Sequence, residues 1–364
     1  MCQVLVWIPL DWLGLPNIPI YGFGTMLFLA FISGVWLAGR LARRGGVPAE
    51  RIERLAIWLF IFGIIGARLA YMIVTPTMSW LRFGAIWDGG LVYFGSFVGG
   101  VLGFFVAARS IVRDFNVSRW KLADFLAPSL ALGLCLGRIG CLLNGCCYGN
   151  VACTHCPAVH FPLSSPPREV FVFRGLQTAA GFVVPDRETT VGPVEPKSRA
   201  FAAGLRPDDK IIRVNGNKVE NYGDLVSSMG EKWERGRTDL VLTVMRGEQE
   251  IQLPPFYPET VGLHPTQVYE SISMALLFLV LLAYYPLKRR DGSVLILFML
   301  AYSLHRFLNE MLRTDTDKVA FNMTLSQNLS ILMALAAGVL IVLSWRMPQP
   351  TMPTSAAPAS PAPA

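Results

Sequence analysis

The stretch Gly137-Arg138-Ile139-Gly140-Cys141-Leu142-Leu143-Asn144-Gly145-Cys146-Cys147-Tyr148-Gly149 closes a long apolar run that covers residues 122–143. Such a run meets the ~20 residues that a helix needs to cross a bilayer. It places Arg138 near its end, where a charge is costly: about 2.5–3.5 kcal/mol at mid-membrane, and less towards the interface. A charge retained against that cost marks a functional site and wants an anion. With no Asp or Glu near it in the segment, the expected partner of Arg138 is a ligand anion. The surrounding glycines allow backbone or ligand to approach closely.

The rest of the chain agrees with a membrane setting. Its 364 residues are 53% hydrophobic and 16% charged, with a mean hydropathy of +0.45, which excludes an ordinary soluble domain. The net charge of +7 does not argue for nucleic acid, because the basic residues fall in short loops between apolar runs. No basic n-region opens the chain, so no cleavable signal peptide is expected. Residues 1–20 are apolar, with Trp and Pro, and read as interfacial. Spans are expected at 21–38, 55–74, a third running to about 106, then 122–143, 269–287, 294–312 and 325–345. Arg40, Arg43, Arg44, Arg51 and Arg54 follow the first, and Arg109, Arg113, Arg119 and Lys121 the third. Lys288, Arg289 and Arg290 follow the fifth. With these loops cytoplasmic, the N-terminus lies outside and the C-terminus inside. The Pro/Ala/Ser-rich tail, 347–364, has the composition of a disordered segment.

Between the fourth and fifth spans, residues 151–262 change character. Ala202-Ala203-Gly204-Leu205-Arg206-Pro207-Asp208-Asp209-Lys210-Ile211-Ile212-Arg213-Val214-Asn215-Gly216 predicts a short helix ending at Gly204, a turn, and a strand over 210–214 closed by an Asn-Gly turn. Residues 224–233 read as an amphipathic helix, and 240–245 with 248–253 as a hairpin. Over 178–254 the insert resembles a PDZ domain of the bacterial envelope type. That resemblance implies capture of an extended peptide by strand addition, with Ala180-Gly181-Phe182-Val183 as the best carboxylate-loop match; a spacer that binds nothing is the other reading. The expected organisation is a membrane part at 1–165, the PDZ-like insert at 166–258, a second membrane part at 259–346, and the tail. The fold class is therefore an α-helical polytopic membrane protein of about seven spans with an inserted α+β PDZ-like domain.

The membrane part resembles the bacterial phosphatidylglycerol–prolipoprotein diacylglyceryl transferases. The opening stretch carries the resemblance, with Tyr21-Gly22, Gly66-Ala67-Arg68-Leu69 and Trp87-Asp88-Gly89-Gly90-Leu91. So do His264-Pro265-Thr266-Gln267-Val268-Tyr269-Glu270 and His305-Arg306-Phe307-Leu308-Asn309-Glu310-Met311-Leu312-Arg313. The motifs occur in the family's order and cover nearly all residues outside the insert. The resemblance implies transfer of a diacylglyceryl group from phosphatidylglycerol to the lipobox cysteine of a preprolipoprotein, in the bacterial inner membrane with the insert periplasmic. A thioether forms and glycerol phosphate leaves; no cofactor and no metal are implied. Arg138 and Arg306 are implied to act on the lipid phosphate, with Glu310 one turn on to orient Arg306. Tyr21 joins them as a catalytic match, and Asn144, Gly149, Arg68, His264 and Arg313 as substrate-binding ones. Arg68 also reads as a helix-packing arginine, and His264 as a turn cap.

One position departs from the family. Phe94 stands where a histidine, the proposed base for the thiol, is common. A thiol of pKa about 8.5 is already a few per cent thiolate near neutrality, so thiolate costs about 2 kcal/mol or less. The base is then diffuse, or it is Tyr93, His264 or Glu310. Cys141 likewise replaces a signature asparagine. Cys146, Cys147, Cys153 and Cys156 face the oxidising side, which favours disulfides, with free thiols or a zinc site as the other readings.

Two other classes compete with this one. An intramembrane metalloprotease also joins spans to a PDZ domain, but the chain has no His-Glu-x-x-His. A non-catalytic envelope receptor binding peptides through the PDZ domain draws support from Phe94, and Arg138, Arg306 and Glu310 count against it.

Overall fold

The computed structural model describes residues 4–9, 11–13, 17–75, 83–84, 92–153, 155–161, 181–184, 188–230, 232–233, 237, 239–258, 260, 262–313 and 318–346. The Trp87–Leu91 motif, Ala180 and the tail from 347 lie outside the described residues. The chain forms two compact units: one of Met1–Leu27, Gly137–Ser271 and Leu308–Leu325, the other of Phe28–Leu136, Ile272–Phe307 and Ser326–Ala364.

The long helices are α1 (Gly22–Arg44), α2 (Ala49–Val74), α3 (Tyr93–Phe115) and α4 (Arg119–Asn144). After the insert come α7 (Thr266–Tyr284), α8 (Ser293–Glu310) and α9 (Leu325–Arg346). Among the described residues, six helices are long and apolar enough to cross a membrane, and α8 is not one of them. Its last two turns carry His305, Arg306, Asn309 and Glu310, which dilute its apolar character. Apolar side chains stay exposed along these helices, among them Phe28, Ile57, Phe97, Leu276 and Leu335. An apolar surface of that kind suits lipid as the solvent. The chain is a multi-pass membrane protein.

In the second unit, Leu37, Leu41, Ile52, Leu55, Ile111, Leu122 and Phe125 form one buried cluster. Met274, Leu277, Leu281, Val294 and Phe298 form another with Ala127 and Ala131 of α4. Glycine lets α2 and α3 touch: a Cβ on Gly66 would strike the Gly95 carbonyl oxygen, and one on Gly95 would strike that of Gly66. Asp124, fully buried, accepts from the N–H groups of Gly292, Val294 and Leu295 and from Lys288 at 2.8–3.0 Å. One carboxylate from α4 thereby caps the start of α8. Arg68 is 1% exposed; its Nε donates to the Phe83 carbonyl at 3.2 Å, and its guanidinium stands over the Tyr71 ring.

In the first unit the N-terminal segment is a hairpin of β1 (Val4–Ile8) and β2 (Ile18–Tyr21), with Trp7, Trp12 and Ile18 exposed. The insert contains the strand at 210–214, the Asn-Gly turn and the hairpin expected of its sequence. It has α5 (Arg199–Ala202), β4 (Lys210–Val214), β5 (Asn217–Lys218), α6 (Tyr222–Met229), β6 (Leu242–Arg246) and β7 (Gln249–Gln252). The strands form one antiparallel sheet in the order β5-β4-β6-β7. Asn215 and Gly216 take φ of 51° and 86°, the left-handed pair that a two-residue hairpin turn requires. The helix read at 224–233 instead starts at Tyr222, because Asn221 and Asp224 form a reciprocal capping box. It stops at Met229, before Gly230. Phe182, Leu205, Ile211, Leu225, Trp233 and Leu242 fill its core. Arg246 grips the buried Asp209 with two hydrogen bonds of 2.7 Å, which raises the guanidinium pKa further above its ordinary value. Two short strands, β3 (Val159–His160) and β8 (Gly262–Leu263), pair antiparallel where the chain enters and leaves this region.

Candidate functional site

The end of α4 brings Arg138 into the first unit, and the partner it meets is a carboxylate. Arg138 Nε lies 3.0 Å from Glu270 Oε1 on the first turns of α7. The expectation that no acidic residue serves Arg138 holds only along its own segment; the carboxylate arrives from a helix 132 positions later in the chain. Asn309, near the end of α8, donates to the other oxygen of Glu270 at 3.0 Å. Glu270 and Asn309 are 1% and 4% exposed, so this carboxylate is held by defined groups.

A second acidic centre lies next along α8. Glu310 is 2% exposed; it accepts from Thr324 Oγ1 at 3.0 Å, and Arg313 Nη1 stands 3.9 Å from its Oε2. Arg313 also forms an isolated backbone bridge with Gly149, and Asn150 N–H donates to the Leu312 carbonyl at 2.9 Å. The loop after α4 is thus tied by its backbone to the residues just beyond α8.

The His264–Glu270 motif explains itself residue by residue. Gly149 N–H donates to the His264 carbonyl at 3.0 Å, and His264 N–H to the Asn150 carbonyl at 2.8 Å. A Cβ on Gly149 would come within 2.7 Å of His264 Cβ and 2.8 Å of its carbonyl oxygen, so this pairing needs glycine. Thr266 Oγ1 and Gln267 Nε2 donate to the carbonyls of Cys147 and Cys146, each at 2.7 Å. Four of the motif's residues therefore hold the cysteine loop or Arg138.

Cys147 is fixed at φ 60°, a conformation that costs about 1–3 kcal/mol for a residue with a side chain. The thiols of Cys141, Cys146 and Cys147 all lie within 4.8 Å of one another. Asn144 hydrogen-bonds the Cys146 thiol. Hydrogen bonds from Cys141 and Cys146, and then the charges of Arg138 and Arg313, hold the Cys147 thiol well below its ordinary pKa. Cys153 and Cys156 form the disulfide expected of the four cysteines, whereas Cys146 and Cys147 are free and group with Cys141 instead.

Of the residues singled out in the sequence, Arg138, Asn144, Gly149, His264, Glu310 and Arg313 all belong to the first unit. Tyr21 is in that unit too, at the end of β2 and 52% exposed. Arg68 and Arg306 belong to the second unit, where Arg306 donates to Ser326 at 2.9 Å and Phe94 lies in the first turn of α3. Sequence reasoning passed over Glu270, Asn309, Thr266 and Gln267 as site residues. All four lay inside motifs already quoted, and Glu270 was the one carboxylate in its motif.

Several spanning helices, with two buried arginine–carboxylate groupings at the ends of α4, α7 and α8, define a membrane-embedded protein with a charged site. Residues 12–343 match the family model described as prolipoprotein diacylglyceryl transferase, and the chain belongs to that family. It is 30% identical over 376 residues to the phosphatidylglycerol–prolipoprotein diacylglyceryl transferase of Rhodopirellula baltica, covering 91% of this chain and 73% of that protein. Identity to the protein of the same name from Clostridium tetani is 24% over 317 residues, covering 86% of this chain and 89% of that protein. For the one from Thermus thermophilus it is 38% over 126 residues, covering 34% and 44%.

Proposed function

We propose that the chain transfers the diacylglyceryl group of phosphatidylglycerol to the lipobox cysteine of preprolipoproteins. The thiol sulfur forms a bond to the glyceryl carbon, and the carbon–oxygen bond to phosphate breaks. The electron pair leaves with glycerol phosphate, and the thiol proton is released. Negative charge therefore gathers on the departing phosphate, and guanidinium groups fixed in advance stabilise that change. The observation that carries this reading is Arg138 held against the buried Glu270, which is itself held by Asn309. Arg138 binds the phosphate, Arg313 adds positive charge, Glu310 keeps the end of α8 in place, and Arg306 is the second arginine the reaction requires. Asn144, Gly149, His264, Tyr21 and Arg68 shape the substrate sites.

All seven long helices cross the membrane in this reading. The N-terminus and the insert are periplasmic, and the C-terminus is cytoplasmic, as the basic loops require. The insert is PDZ-like, a reading supported by its four-stranded antiparallel sheet and capped helix, and it takes an extended peptide by strand addition. Gly181–Val183, its best loop match, runs beside residues 192–195, with Phe182 buried in the core.

The test is complementation of a transferase-depleted cell. The wild-type chain should restore lipoprotein modification, and Arg138→Ala and Arg306→Ala should each abolish it while the protein still inserts. Normal lipidation by both variants would overturn the assignment.

A further inference from the structure

We propose that Cys141, Cys146 and Cys147 form a three-thiolate site for a zinc-class cation, whose fourth position takes the thiol of the incoming cysteine. The second half rests on the transferase reading; the first does not.

The geometry is close to that of a metal site. Four-coordinate zinc with sulfur at ~2.3 Å sets neighbouring sulfurs about 3.8 Å apart. The three sulfurs here already lie within 4.8 Å of one another, so closure needs movements of about an ångström or less. The scaffold is built for the purpose. Cys141 sits on the last turns of α4, and the chain folds back so that the N–H groups of Gly145 and Cys146 donate to its carbonyl at 2.8 and 3.1 Å. Thr266 and Gln267 pin the next two carbonyls, and Cys147 takes left-handed backbone, turning its sulfur towards the others.

The count of thiols also favours a metal. A single disulfide among three sulfurs leaves one over, whereas one cation satisfies all three. Soft thiolate ligands select zinc or copper(I) over magnesium or calcium. Three thiolates and a dication sum to one negative charge, which the nearby guanidinium groups of Arg138 and Arg313 favour. Three protein ligands also leave one coordination position open, as in catalytic zinc sites.

In that position a thiol loses its proton to solvent and stays as thiolate. Its sulfur lone pair then forms the bond to the glyceryl carbon, and the electrons of the broken carbon–oxygen bond leave with glycerol phosphate. The metal keeps its charge throughout.

The test uses the full-length chain purified in detergent without added reductant. Elemental analysis should find about one zinc per chain, falling at least fivefold in the Cys141→Ser/Cys146→Ser/Cys147→Ser variant. Loading with cobalt(II) should give sulfur-to-metal charge-transfer absorption. That absorption should grow when a lipobox peptide is added and stay unchanged with the same peptide carrying serine for cysteine. No bound metal, equal metal in the triple variant, or a disulfide among the three in the isolated protein would overturn the site. A cobalt spectrum blind to the cysteine peptide would overturn the open position. Full-rate lipidation by metal-stripped protein removes the metal's part in catalysis and leaves the transferase standing. A metal-loaded chain that lipidates nothing removes the transferase and leaves the metal site.

Discussion

Arg138 Nε and Glu270 Oε1 are 3.0 Å apart, and the carboxylate is almost wholly buried. Removing one partner of such a pair leaves the other charge buried and uncompensated, at about 3–5 kcal/mol. The pair therefore fixes where the guanidinium sits, and in the proposed reaction substrate phosphate would meet an arginine already oriented.

Glu270→Gln keeps the shape and loses the charge. Misplacing a group by an ångström can cost about a hundredfold in rate. The variant should lose about that much kcat in an in vitro lipidation assay while its KM for phosphatidylglycerol moves less. Glu270→Asp, which restores the charge, should recover part of the loss. Equal falls in kcat and thermal stability for Gln and Asp alike would mean that Glu270 serves only the fold.

Gly149→Ala places a methyl group against His264 Cβ and its carbonyl oxygen. The pairing between residues 149–151 and 262–264 should loosen, and lipidation should fall at least tenfold. Faster hydrogen exchange at the amides of Gly149 and His264, read by mass spectrometry, checks the cause.

Asp124→Ala strips the start of α8 of the acceptor for three N–H groups and leaves Lys288 without its 2.8 Å partner. The expected loss is about 3–5 kcal/mol, visible as a lower melting temperature in detergent. Lipidation at low temperature should persist, because Asp124 bonds Lys288 and the start of α8, whereas Arg306 and Glu310 lie at the other end of that helix.

Phe94→His tests the deprotonation route. A positioned general base supplies about 10²–10⁴-fold. If the thiolate is generated elsewhere, the substitution should change kcat less than tenfold at neutral pH; a rise of orders of magnitude would show that the chain lacks only that base.

Much of this architecture is legible in the chain because each signal is local. Apolar runs bounded by arginines gave the helices within a few residues at most ends. The Asn215-Gly216 turn and the strands around it were readable from their own residues. The pairing of Arg138 with Glu270 was not, since proximity in sequence says nothing about a carboxylate delivered by another helix. Asp124 was overlooked for the same reason: it lies inside an apolar run, and its partners lie beyond residue 287. The sixth long helix is the informative ambiguity. His305, Arg306, Asn309 and Glu310 make α8 too polar to pass as a span by composition.

The β3–β8 pairing has an evolutionary consequence. Val159 faces Leu263 and His160 faces Gly262 across one ladder, so the two ends of the 101 residues between them are held side by side. Such a doorway tolerates cargo of almost any size, since lengthening a closed loop costs only about 0.6 kcal/mol per doubling. A lineage could exchange, shed or acquire an accessory module at that doorway without rewriting the helices before and after it in the chain.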